Sequence, residues 1–145
     1  MSRLDPAPRV SAPPVAPVIV VAEDDDELRH LLAHRLRRAG AAVIEARTGL
    51  ELVELLSPPM TGGPVAETPR AELVISDLRM PGLTGLEVVA LVRSVDWALP
   101  VILMTGFGDA EAHAEARRLG AALYDKPVDL DALVATAAAQ LGLAA

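Results

Sequence analysis

Residues 18–40, VIVVAEDDDELRHLLAHRLRRAG, decide the fold class of this chain. Val18 to Ala22 is a continuous run of β-branched and small apolar residues, too short for a helix and without alternation, which is the pattern of a strand covered on both faces. From Asp26 to Ala39, Leu28, Leu31, Leu32 and Leu36 recur at helical spacing, and Gly40 supplies a stop signal. A doubly covered strand followed at once by an amphipathic helix is half of a parallel crossover unit.

The same alternation continues outward. Ala41 to Ala46 (AAVIEA) reads as a second strand and Gly49 to Leu56 as a short helix. Further on come the strand Leu73 to Ser76 (LVIS), a helix from Leu83 to Ser94, the strand Val101 to Met104 (VILM) and a helix from Asp109 to Leu119. The strand Ala122 to Tyr124 and a helix from Leu130 to Leu141 complete five βα units. Right-handed crossovers place helices on both faces of an open α/β sheet and gather the loops at the strands' C-terminal ends along one edge, where ligands bind.

Two stretches fall outside the alternation. Five of the twelve prolines lie between Pro6 and Pro17 without apolar periodicity, so residues 1–16 are expected to form a flexible tail ahead of one folded domain, 17–145. Residues 57–70 (SPPMTGGPVAETPR) combine four prolines with a double glycine and predict an unusually long surface loop.

Composition narrows the function classes. The chain of 145 residues is 52% hydrophobic and 2% aromatic, enough for one core of Val, Leu, Ile and Ala. A formal charge of −7 with Lys and Arg scattered argues against direct nucleic-acid binding. Cysteine is absent, which excludes disulfides, thiolate metal sites and cysteine nucleophiles and fits a cytoplasmic protein. No apolar run approaches the roughly eighteen residues of a membrane span, and the N-terminus lacks the apolar core of an export signal.

Four strand ends carry residues suited to chemistry. The first ends in Glu23-Asp24-Asp25-Asp26, four adjacent acids whose repulsion a cation would offset. Oxygen donors without His or Cys point to a hard cation that keeps its waters, such as Mg²⁺. Alone, this run is better explained as the acid-rich start of a helix. The third strand delivers Asp77, able to share that cation and to act as a nucleophile toward a phosphoryl donor, although an aspartate ahead of Pro81-Gly82 is also a common turn residue. The fourth ends in Thr105-Gly106, a hydroxyl with room beside it, and the fifth in Lys126-Pro127, a point charge for an anion. In this order, the acids, Asp77, Thr105 and Lys126 describe one phosphoryl-transfer site.

The segments VVAEDDDELRHLL, ISDLRMPGLTGLE, VILMTGFGDA and YDKPVDLDAL resemble the signature segments of the receiver domain of two-component response regulators, in single-domain, CheY-like form. The resemblance runs in register from Pro17 to Leu143. It implies the flavodoxin-like, doubly wound sheet of five parallel strands ordered 2-1-3-4-5. It further implies that Asp77 is the phosphoacceptor, that Glu23, Asp24, Asp77 and the main-chain carbonyl of Arg79 hold Mg²⁺, and that Thr105 and Lys126 contact the phosphoryl group. Asp25 and Asp26 match no ligand position and are expected to start the helix.

A phosphorelay switch is the function so implied, with a histidine kinase or phosphotransfer protein as donor and a downstream protein as target. Homodimerisation on phosphorylation is one form its output takes. Such a domain assists its own phosphorylation and dephosphorylation and is not a metabolic enzyme. In the family, new charge on the aspartate draws the threonine and its loop inward, and an aromatic on the fifth strand changes rotamer. This chain departs from that pattern. Leu123 stands three residues before Lys126, Tyr124 follows it, and the segment from Gly120 is one residue short. Tyr124 is the candidate for a modified switch, with simple packing as the competing role.

Two other functions compete with this one. An aspartyl-phosphate hydrolase of the haloacid-dehalogenase type wants a second acid two residues after the nucleophile, where Arg79 stands. A receiver-like adaptor working without phosphorylation would not need the intact Glu23, Asp24, Asp77, Thr105 and Lys126 set. His30, His34 and His113 are expected to be solvated, and Trp97 to lie in a loop as no more than a fluorescence probe.

Overall fold

The computed structural model describes residues 15–56, 70–94, 96–106 and 108–143. The tail expected at 1–16 and the loop expected at 57–70 lie almost wholly outside these residues. Five strands and five helices alternate: β1 Val18–Ala22, α1 Asp26–Arg38, β2 Ala42–Ala46, α2 Gly49–Leu56, β3 Leu73–Asp77, α3 Gly85–Arg93, β4 Val101–Thr105, α4 Ala110–Arg118, β5 Ala122–Asp125 and α5 Leu130–Leu141. All strand pairs are parallel, in the order β2-β1-β3-β4-β5.

Strand alternation divides the core into two layers. Val20 and Ala22 of β1, Val74 of β3, and Val101 and Leu103 of β4 pack against Leu52 of α2, Val88, Val89 and Val92 of α3, and Ala116 of α4. Ile19 and Val21, Leu73 and Ile75, and Ile102 and Met104 face the other way, onto Leu32 and Leu36 of α1 and Leu133, Val134 and Ala137 of α5. β3 and β4 are buried along their whole length, which is why their sequences show no alternation.

Side-chain caps set the helix starts. Asp25 accepts from the N–H groups of Glu27 and Leu28, Asp109 from Ala112 and Asp129 from Ala132. Thr84 and Glu87 form a capping box, so α3 begins at Gly85 and not at Leu83 as the apolar pattern suggested.

Two buried arginines hold the loops. Arg93, at the end of α3, donates to the carbonyls of Asp96, Leu99, Leu119 and Gly120, and its guanidinium sits 5.4 Å from the Trp97 ring centroid. Burial lowers its pKa, yet those carbonyls satisfy its donors. Arg93→Met is expected to lower stability by about 2 kcal/mol, the scale for orphaned buried polar groups, and to alter Trp97 fluorescence. Urea unfolding followed by that fluorescence checks both. Arg29 of α1 is 1% exposed. It donates to Asp26 Oδ1 at 2.5 Å, to the Glu23 carbonyl at 2.8 Å and to Glu45 Oε1 at 3.2 Å.

Candidate functional site

Asp77 is the last residue of the central strand β3 and is 6% exposed. Its backbone is fixed on every side: the Ser76 hydroxyl donates to its carbonyl at 2.9 Å, and the next N–H, of Leu78, donates to the Met104 carbonyl at 2.7 Å. A Cβ on Gly85 would stand 2.6 Å from that same Asp77 carbonyl, so only glycine lets α3 start this close to the strand end. The carboxylate therefore projects from a rigid base into the edge where the loops gather. The Arg79 N–H donates to its Oδ1 at 3.2 Å.

Glu23, at the end of β1, is fully buried, with its N–H tied to the Ala46 carbonyl of β2 at 3.0 Å. From just beyond β5, Lys126 reaches across the site: its Nζ donates to Glu23 Oε1 at 2.6 Å and to Asp77 Oδ2 at 3.1 Å. The Lys126 N–H donates to the Thr105 carbonyl at 2.7 Å, which seats the loop after β5 beside the end of β4. The peptide bond between Lys126 and Pro127 is cis. Thr105 is fully buried at the end of β4. Glu23, Asp24 and Asp77 can each bring one carboxylate oxygen within 4.8 Å of the others, with Asp24 exposed and the other two buried.

The electrostatics of this cluster are unbalanced. Burial, the neighbouring Asp24 carboxyl and the charge of Asp77 push the Glu23 pKa from 4.5 up to about 7, against the opposing pull of Lys126 and the Asp25 N–H. Burial pulls the Lys126 pKa down, but its hydrogen bonds to Glu23 and Asp77 outweigh that and raise it. One ammonium thus pairs with two of the three carboxyl groups. An all-oxygen set with one solvent-facing member and surplus negative charge has the donor chemistry of a hard divalent cation such as Mg²⁺.

A pH dependence follows. With a raised folded-state pKa, Glu23 makes the folded protein bind more protons than the unfolded chain between pH 4.5 and about 7. Its contribution to stability is then present at low pH and lost as pH rises through 7. In chelator-treated protein, wild type is expected to lose on the order of 2 kcal/mol relative to Glu23→Gln between pH 5 and 8. Parallel urea-unfolding profiles of the two proteins would refute it.

The structure brings Glu23, Asp24, Asp77, Thr105 and Lys126 to one edge, as their strand-end positions predicted. Asp25 is the N-cap of α1, and Asp26 pairs with Arg29, which holds its carboxyl below the ordinary range. Arg79 follows β3 and is exposed. Tyr124 points away from the site: it packs with the α1 and α5 layer, and its hydroxyl lies 2.9 Å from that of Thr136 in α5. Leu123 occupies the layer of α2, α3 and α4. Of the histidines, His30 is exposed, 3.4 Å from Glu45. His113 departs from the solvated state expected, because it is partly buried and lies 3.3 Å from Asp125 Oδ1. Arg29 had no sequence signal as a site neighbour, since its partners Glu23 and Glu45 come from other elements.

Comparison with known proteins agrees with this geometry. Residues 19–138 match the model of the response regulator receiver domain. The chain is 34% identical over 134 residues to the transcriptional regulatory protein FixJ of Azorhizobium caulinodans, covering 92% of this chain and 58% of FixJ. It is 34% identical over 119 residues to the DNA-binding transcriptional regulator NtrC of Escherichia coli K12, covering 81% of this chain and 23% of NtrC. With sporulation initiation phosphotransferase F of Bacillus subtilis it shares 27% identity, over 78% of this chain and 84% of that protein. The signal receiver domain of a putative Luxo repressor from Vibrio parahaemolyticus has the same fold, with a TM-score of 0.74 at 22% identity over 88% of this chain and 91% of that one. The chain therefore belongs to the response regulator receiver domains of two-component systems.

Proposed function

We propose that this chain is a Mg²⁺-dependent phosphorelay switch in the cytoplasm. Asp77 accepts a phosphoryl group from a histidine kinase or phosphotransfer protein, and the signal leaves through a downstream protein, homodimerisation being one route. The observation that carries this reading is the single ammonium of Lys126 bridging Glu23 and Asp77, at 2.6 and 3.1 Å, in a cluster otherwise made of carboxylates.

A carboxylate oxygen of Asp77 forms the new P–O bond while the donor's P–N bond breaks, giving an acyl phosphate and a free imidazole. In this reading Lys126 holds a phosphoryl oxygen through its Nζ, and the buried Thr105 meets a second one. Glu23, Asp24, Asp77 and the Arg79 carbonyl would hold Mg²⁺, which supplies countercharge to the carboxylate and the incoming phosphate. Arg79, where a hydrolase of the dehalogenase type wants its second acid, favours a switch over a dedicated phosphatase.

Incubation with acetyl phosphate and Mg²⁺ is expected to add the mass of one phosphoryl group to the intact protein, removable by hydroxylamine and absent when the metal is chelated. A chain that gains no adduct under these conditions would overturn the proposal.

A further inference from the structure

Glu23 and Asp24 share one peptide group, and its carbonyl is held from inside the protein. Arg29, in the first turn of α1, donates to the Glu23 carbonyl through Nη1 at 2.8 Å in a buried hydrogen bond. The same guanidinium reaches Asp26 Oδ1 through Nη2 at 2.5 Å and Glu45 Oε1 of β2 through Nε at 3.2 Å. Glu45 has its own supports, His30 at 3.4 Å and Arg37 at 3.5 Å, so the fork is anchored on the strand beside β1. A peptide group is planar, so a fixed Glu23 carbonyl fixes the direction in which the Asp24 backbone leaves it. The Glu23 carboxylate has separate ties, to Lys126 Nζ and to the Asp25 N–H at 3.2 Å. The exposed Asp24 is therefore the member of the acidic cluster whose placement depends most on this carbonyl.

We propose that Arg29 is a positioning residue for the metal-binding acids, holding Asp24 where its carboxylate meets those of Glu23 and Asp77. This rests on the reading of these three as Mg²⁺ ligands. Charge and geometry give opposite signs here. A guanidinium beside an acidic cluster repels a second cation, so an Arg29 acting through its charge alone would weaken Mg²⁺ binding and its removal would tighten it. A partner that orients ligands acts the other way, and its loss costs metal sites about 10- to 100-fold in affinity. Arg93 provides the comparison, because it is also a buried arginine but ties the loops leading into β4 and β5, at the opposite edge of the sheet.

The test is a titration of Mg²⁺ alone into isotope-labelled protein, with affinity read from the amide shifts of Asp24 and Asp77. Arg29→Lys keeps the charge and removes the fork, and is expected to bind Mg²⁺ roughly tenfold more weakly than wild type. Arg29→Met should also bind more weakly, against the direction of its charge change, and Arg93→Met should bind as wild type does. Wild-type affinity in Arg29→Lys, tighter binding in Arg29→Met, or equal weakening in Arg93→Met would each overturn the proposal. Without metal, the amide order parameter of Asp24 is expected to fall in Arg29→Lys and to hold in Arg93→Met; an unchanged value in Arg29→Lys overturns the positioning role. A wild type whose shifts ignore Mg²⁺ overturns the metal reading and this proposal with it, whereas the other adverse results, with wild-type binding intact, overturn this proposal alone.

Discussion

Asp77→Asn is expected to give a folded protein that takes up no phosphoryl group. The substitution keeps the shape of the side chain and removes the nucleophilic carboxylate, so adduct formation should fall to background in the intact-mass assay. Stability should not fall with it. Losing the 3.1 Å contact to Lys126 leaves that ammonium with Glu23 at 2.6 Å, and the change also removes a negative charge that opposes Glu23 ionisation. An urea midpoint at or above wild type, together with a missing adduct, is the expected pair of results. An undiminished adduct would place the phosphoryl group elsewhere, and a strongly lowered midpoint would show Asp77 to be structural.

The second large effect is Arg29→Met, a change of similar length that deletes a buried charge. Breaking a buried ion pair from one side costs about 3 to 5 kcal/mol where the remaining partner is left uncompensated. Here the partners are partly protected. Asp26 is exposed, and Glu45 keeps Arg37 at 3.5 Å and His30 at 3.4 Å. The uncompensated group is chiefly the Glu23 carbonyl, so a loss of about 2 to 3 kcal/mol is expected in urea unfolding, with an unchanged slope. Arg29→Lys should recover only part of it, because one ammonium cannot reproduce a fork that meets three acceptors. A loss below about 1 kcal/mol would show that the network contributes little.

The contrast between these two residues shows what was legible in the sequence. Asp77 could be read because a continuous apolar run, buried on both faces, announces where a parallel strand ends, and strand ends share one edge. The same logic placed Glu23, Asp24, Thr105 and Lys126. The capping box of Thr84 and Glu87 was equally open to reading, but the apolar pattern starting at Leu83 masked it. Arg29 and Arg93 could not be read in this way. Each looks like a surface arginine on an amphipathic helix, and only the approach of β2 for one, and of the loop before β5 for the other, turns it into a buried tie. The pairing of His113 with Asp125 is hidden for the same reason, since it depends on how α4 lies over β5.

The Lys126–Glu23 contact joins residues 103 positions apart. Everything else in the acidic cluster lies on β1 and β3 or the turns that follow them, in the first 79 residues. During synthesis the cluster therefore emerges well before the one ammonium that counters it, and closure of that long loop is slow compared with local structure formation. Until β5 has docked, the carboxylates face one another without Lys126. A nascent or C-terminally truncated chain thus carries the phosphoacceptor but not the clasp that completes its site, which makes the clasp a marker of the finished domain.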